Sequence, residues 1–433
     1  MILILTVILY TGYTLIYEIR WQLIILYILV TLMMVVVFIK MLKNIILRPI
    51  ISKLLVIVLV FLTMASMTAL LVFPLYEIPK PTGPYSIGTQ SMIIEDLDRI
   101  DLYGENSTEY RRFKIQFWYP AESTETYQRA PWLEDGKTIA RGLSKDLGFP
   151  FFLLDHTALI ESNSYEKAPI STDFIDYPVL IISHGWRGFR NLHTDFAEEL
   201  ASYGFIVIAI DHTYGSVATV FDDEVIYLNP KALPDREDTT DFILYANQLV
   251  DTYAGDIKAT IDYLENLNQD QTSIFYQKLD LSALGHMGHS TGGGAGVSLA
   301  LEDSRIKSLI GLDAWVEPIE SSKIDLGLSI PSLFLRSEMW EIGLNNLHLM
   351  SLKNQSQYVP SIYQINGTTH YDFAMVYMYS PLTKLIGFRG DLDKNYLNQM
   401  LKTMIVHFFK ENLINDSNPP LNYLQWDEVE EIK

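Results

Sequence analysis

The 433-residue sequence contains no cysteine. That removes disulfides, thiolate nucleophiles and cysteine-ligated zinc, and it leaves the redox compartment unreadable. Basic residues are scarce as well. Five of the 32 lysines and arginines, but only two of the 52 acidic residues, fall within the first 77 positions. The remainder holds 27 basic against 50 acidic residues, a net charge of −23. Such a surface repels phosphate backbones, so nucleic acid is not an expected partner. Internal repeats and low-complexity tracts are missing too.

Charge is thin at the N-terminus, where three apolar runs occupy residues 1–17, 21–39 and 54–75. The second and third reach the roughly 20 residues that a spanning helix needs. The first is shorter and diluted by Thr6, Thr11, Gly12 and Thr14, yet it lacks the basic leader and cleavage site of a signal peptide. About three transmembrane helices are therefore expected within residues 1–77. Lys40, Lys43, Arg48 and Lys53 crowd the connection between the second and third runs, which should face the cytoplasm. Everything after Pro74 is then extracytoplasmic. The runs carry no intramembrane charge of the kind a transporter uses. Residues 78–90 open with Pro79, Pro81, Gly83 and Pro84 and read as a stiff tether.

Residues 91–415 form the expected folded domain, with 416–433 a frayed acidic tail. Residues 85–98 and 112–119 suit an opening antiparallel pair. The aromatic cluster at 149–154 suits core, a lid or an acyl pocket. A buried strand from Tyr177 runs into His184-Gly185; a helix over 191–203 and a second strand over 205–210 follow. Strand, helix, strand at this spacing is a parallel crossover. Residues 214–240 read as a long polar surface loop. A helix over 240–267 carries Leu244, Val250, Tyr253, Ala254, Ile257, Ile261 and Leu264 as one apolar stripe. Further buried strands lie at 306–312, 331–335 and 358–366, with a closing amphipathic helix over 395–413. This order describes an α/β-hydrolase: a mostly parallel central sheet flanked by helices, preceded by the N-terminal transmembrane helical region.

The chain is organised around Gly288-His289-Ser290-Thr291-Gly292. A strand-like run leads in and small residues at helical spacing lead out, which puts Ser290 on a sharp strand-to-helix turn. The flanking glycines let the turn form and keep its hydroxyl open, and the Thr291 N–H can face an oxyanion. A serine needs an adjacent base. Three histidines follow it, His348, His370 and His407. His370 alone lies directly after the last parallel strand, where this fold carries its base. Two carboxylates could orient that base: Asp313 at one strand tip and Glu338 after the next. Position leaves both open, and Asp372 is too close to His370 in sequence.

The soluble part resembles the plasma-type platelet-activating-factor acetylhydrolases and their bacterial relatives. The likeness runs through GPYSIGT (83–89), FWYP (117–120), LSKDLG (143–148), SHGWRGFR (183–190), LASYGFIVIAIDH (200–212), GHSTGGG (288–294), LDAW (312–315) and GTTHYDFA (367–374). It covers about residues 81–413. The resemblance implies Ser290 as nucleophile, His370 as base, and Asp313 rather than Glu338 as the acid. It implies oxyanion donors at the backbone N–H groups of Trp186 and Thr291, with Gly288, His289 and Gly292 as the elbow. Trp186 replaces a smaller aliphatic residue, which would reshape the acyl pocket, and the anchor lies outside the secreted pattern of that family. The implied chemistry is hydrolysis of short-acyl esters, with phospholipid and the bilayer as partners and no metal or other cofactor. A broad carboxylesterase, a polyesterase, an acyltransferase and a catalytically silent, membrane-displayed binding domain are the rival readings.

Overall fold

The computed structural model describes residues 20–43, 48–104, 108–414 and 420–433, together with Ile8, Thr11 and Gly12. Helices α1 (Trp21–Lys43) and α2 (Pro49–Val72) come first, and both are long and apolar enough to cross a membrane. They correspond to the second and third apolar runs. The first run lies outside the described residues apart from those three positions. Pro49 opens α2, where its missing N–H costs no helical hydrogen bond.

The domain begins with the antiparallel pair β1 (Ser86–Ile100) and β2 (Tyr110–Ala121). Next come β3 (Arg129–Pro131), α3 (Gly136–Asp146) and β4 (Glu161–Glu166). Alternation then sets in with β5 (Tyr177–Ser183), α4 (Thr194–Ser202) and β6 (Ile206–Asp211). A small hairpin, β7 (Ala218–Val220) and β8 (Val225–Tyr227), precedes α5 (Phe242–Leu267). Strand β9 (Leu279–His289) feeds α6 (Thr291–Ala300), and β10 (Ile306–Leu312) and β11 (Ser332–Ser337) lie beyond. The chain closes with α7 (Leu344–Gln355), β12 (Ser361–Ile365), α8 (Lys394–Leu413) and β13 (Val429–Glu431).

Among the described residues, eleven strands form one sheet in the order β13-β12-β11-β10-β9-β5-β6-β2-β1-β4-β3. From β12 to β6 every neighbour is parallel. Both faces of this stretch are covered, as a parallel sheet requires. Val179 and Ile181 of β5 point to the core shared with α5 and α6, while Leu180 and Ile182 point to the core shared with α4 and α8. The period of two is the pleat itself.

Four expectations change. The C-terminal tail is not wholly frayed, because Val429–Glu431 pairs antiparallel with β12 and buries Val429. The stretch at 214–240 is not simply a surface loop, because it folds as β7–β8 and buries Val217 and Ala218. Leu244 drops out of the α5 stripe and stands 67% exposed. Strand β1 starts inside the presumed tether, whose earlier part packs down, with Ile78 buried and the Tyr85 N–H bonded to the Ser202 carbonyl.

Candidate active site

The carboxyl ends of β5, β9, β10, β11 and β12 converge on one rim, the usual ligand edge of an open parallel sheet. Ser290 links β9 to α6 with φ 52° and ψ −119°, a conformation that side chains resist at a cost of about 1–3 kcal/mol. Hydrogen bonds hold it there. The Ser290 N–H donates to the Leu312 carbonyl at 3.0 Å, and the Ser290 carbonyl accepts from Trp315 N–H at 2.9 Å. Glycine is required at both ends of the turn by contact. A Cβ on Gly288 would lie 2.3 Å from the Gly292 carbonyl oxygen, and one on Gly292 would lie 2.3 Å from that of Ser183.

His370 follows β12 on a short helical turn, and its Nδ1–H donates to Asp313 Oδ2 at 2.8 Å. Asp313 is 5% exposed at its side chain and also accepts from the Ser337 N–H and hydroxyl, each at 2.8 Å. These donors fix the plane of the carboxyl group. Glu338 does something else: its Oε2 accepts the Gly367 N–H at 2.7 Å, bracing the histidine loop. Asp372 braces the same loop from within, accepting from the N–H groups of Thr369 and Gly390 at 2.7 Å each. From α7, His348 bonds the Val316 carbonyl, and on α8 His407 pairs with Glu411.

His289 ties the elbow to the histidine loop. Its Nε2–H donates to the His370 carbonyl at 2.9 Å, and the two rings lie 4.5 Å apart. Burial and then the neighbouring His370 hold the His289 ring well below the ordinary histidine pKa, so it stays neutral. On the opposite side, the turn after β5 presses against the serine. A Cβ on Gly185 would stand 2.9 Å from the Ser290 Cβ. The Trp186 N–H points across this gap and donates to Thr291 Oγ1 at 3.3 Å.

Sequence reasoning missed the buried ion pairs beneath the rim. Arg190 reaches Asp211 and Asp135 from the end of the His184–Arg190 turn. Arg111 grips Asp256 through Nε and Nη2 at 3.0 and 2.7 Å, and His212 Nδ1 meets the same carboxylate at 3.0 Å. Burial pushes the Asp256 carboxyl up, but Arg111 outweighs it and holds the group far below the usual range. Arg111, beside Arg112 and Lys114 in β2, offered no signal; the available one was Asp256, set directly before Ile257 of the α5 apolar stripe. Ser337 was equally visible beside Glu338.

Comparison with known proteins agrees with this architecture. A family model described as platelet-activating factor acetylhydrolase, isoform II, matches residues 70–433. The chain is 26% identical over 393 residues to the platelet-activating factor acetylhydrolase of Canis lupus familiaris, covering 82% of this chain and 81% of that protein. It is 26% identical over 200 residues to cutinase est2 of Thermobifida alba, covering 45% and 53%. A solved ferulic acid esterase from Streptomyces cinnamoneus superposes with a TM-score of 0.65 at 20% identity, over 83% of this chain and all of that one. With the fold, the rim and the matched length in agreement, the chain belongs to the isoform II platelet-activating factor acetylhydrolase family and is a carboxylic ester hydrolase.

Proposed function

We propose that Ser290, His370 and Asp313 act as one triad in two-step acyl transfer. Ser290 attacks an ester carbonyl while His370 Nε2 takes the hydroxyl proton. Asp313 holds the imidazole in the tautomer that leaves Nε2 free to accept, and steadies the imidazolium that forms. The carbonyl oxygen becomes an oxyanion between the N–H groups of Trp186 and Thr291, displacing the Thr291 hydroxyl that Trp186 meets at rest. His370 then protonates the departing alcohol, and water releases the acid by the same route. The observation that carries this reading is the 2.8 Å bond between Asp313 and His370 on the rim where Ser290 turns.

The substrate class is short-acyl esters, including short acyl groups on phospholipids, taken from a membrane in which the enzyme is anchored. Two contacts support the anchor. The Trp21 indole N–H donates to the Leu153 carbonyl at 3.1 Å, and the Ser380 hydroxyl donates to the Val72 carbonyl at 2.6 Å. The start of α1 and the end of α2 thus meet the domain. Lys40 near the end of α1, and Arg48 and Lys53 at the start of α2, lie at the opposite ends of these helices, roughly 30 Å away along helices of this length. Exposed Phe151, Leu385 and Ile386 lie in the two segments that these helix ends touch. A domain outside and a basic connection inside is the orientation that charge favours.

Half-buried Trp186, packed against the core shared with α5 and α6 and joined to Thr291 through its N–H, is assigned to limiting the acyl side. Hydrolysis of p-nitrophenyl esters from acetate to palmitate should fall steeply beyond about four acyl carbons and vanish in Ser290→Ala. Faster turnover of palmitate than butyrate would contradict the short-acyl assignment. Bulkier or polymeric esters are the second reading, favoured by the partial likeness to a cutinase.

A further inference from the structure

The two residues before Trp186 carry an arrangement that the triad does not use. His184 is 1% exposed at the end of β5. Its Nδ1 lies 2.7 Å from the carbonyl oxygen of Gly185, and its Nε2 lies 2.8 Å from Ser216 Oγ and 3.3 Å from the backbone nitrogen of His212. A carbonyl can only accept, so Nδ1 carries the proton. A backbone N–H can only donate, so Nε2 carries the lone pair. The two constraints require the same neutral tautomer, and the Ser216 hydroxyl completes it as a second donor. Burial, then the neighbouring His212, holds the ring well below the ordinary histidine range, in keeping with that tautomer.

The carbonyl of Gly185 also accepts from the Gly188 N–H at 3.0 Å. Two donors therefore grip one oxygen. In a trans peptide the carbonyl and the following N–H point in opposite directions. Pinning the Gly185 oxygen on the His184 side consequently aims the Trp186 N–H the other way, toward Thr291 and the elbow. The turn does not hold this shape by local preference, since Arg187 sits at φ 65°. It is latched to the neighbouring segment through Arg187 N–H to the Gly215 carbonyl and Val217 N–H to the Gly188 carbonyl, each at 3.0 Å.

We infer that His184 is a positioning residue for ester hydrolysis, acting through the Gly185 carbonyl to fix the peptide plane whose other end is the Trp186 oxyanion donor. The inference rests on the oxyanion assignment proposed above and adds the group that orients it. Because an oxyanion exists only in the transition state and intermediates, loss of this alignment should appear in kcat and leave KM nearly unchanged.

Two amide substitutions separate the contacts. In His184→Asn the side-chain amide sits where Nδ1 was and can still reach the Gly185 carbonyl. In His184→Gln it sits near the former Nε2 and can meet Ser216 but not that carbonyl. With full-length protein in detergent and p-nitrophenyl butyrate, His184→Gln should lose about 10- to 100-fold in kcat with KM within about 3-fold, and His184→Asn should recover most of the loss. The rate of Ser290 modification by a fluorophosphonate should fall in step with kcat, because its phosphoryl oxygen occupies the same position. Equal losses in the two variants, a Gln variant more active than the Asn variant, or a change confined to KM would overturn the assignment. Wild-type protein with no Ser290-dependent turnover would overturn the underlying triad reading, a result distinct from any ordering of the two variants.

Discussion

Asp313 is held from three directions, by His370 Nδ1 and by both donors of Ser337, while Glu338 is spent on the Gly367 N–H. The two carboxylates therefore have separable consequences. Asp313→Asn would keep the shape but place an amide where the proposed triad has a carboxylate to steady the imidazolium, and kcat should fall by about 10³- to 10⁴-fold. Glu338→Gln can still accept the Gly367 N–H, so its kcat should stay within about 3-fold of wild type. Steady-state rates on p-nitrophenyl butyrate check both, and a larger loss in the Glu338 variant would reverse the assignment. At this scale the placement of Ser290 on the turn and of His370 after β12 was legible, because glycine spacing and chain order both constrain them. Which carboxylate meets His370 was not. Asp313 and Glu338 stand one strand apart, and only the direction of each side chain, set by Ser337 and Gly367, tells them apart.

The elbow is the element on which the site depends. Gly292 lies so close to β5 that an added methyl would meet the carbonyl oxygens of Ser183 and His184 at 2.3 and 2.6 Å. Gly292→Ala must push α6 away from β5, at about 1–3 kcal/mol of stability. The displaced backbone belongs to the turn leading to Trp186, so activity should fall well beyond what the lost folded fraction explains. Gly343→Ala meets nothing within 4 Å and should be neutral. Denaturant unfolding beside ester turnover, on the same detergent samples, checks the pair. The parallel strands were readable within two or three residues, the start of β12 being the widest miss, because each is an apolar run between turn residues. Strands β7, β8 and β13 were not, since three-residue segments such as Val429–Glu431 carry too little pattern and owe their shape to a partner strand. The Arg111–Asp256 and Arg190–Asp211 pairs escaped for a related reason. Each joins residues distant in sequence, and burial alone makes the pairing necessary.

Across the whole molecule, an acidic domain meets one end of two apolar helices, and Lys40, Arg48 and Lys53 lie toward the other. With no native cysteine, a single introduced thiol reports unambiguously on sidedness. An impermeant maleimide should label Glu125→Cys in intact cells and label Arg48→Cys only after lysis. The reverse pattern would put the domain inside. The central claim, that distant residues meet at this rim to make one serine reactive, has a more direct test. Full-length protein treated with a fluorophosphonate and analysed by mass spectrometry should carry a single adduct on the peptide containing Ser290, formed far more slowly in His370→Gln and Asp313→Asn. An adduct on another residue, or unchanged labelling when His370 is replaced, would contradict it.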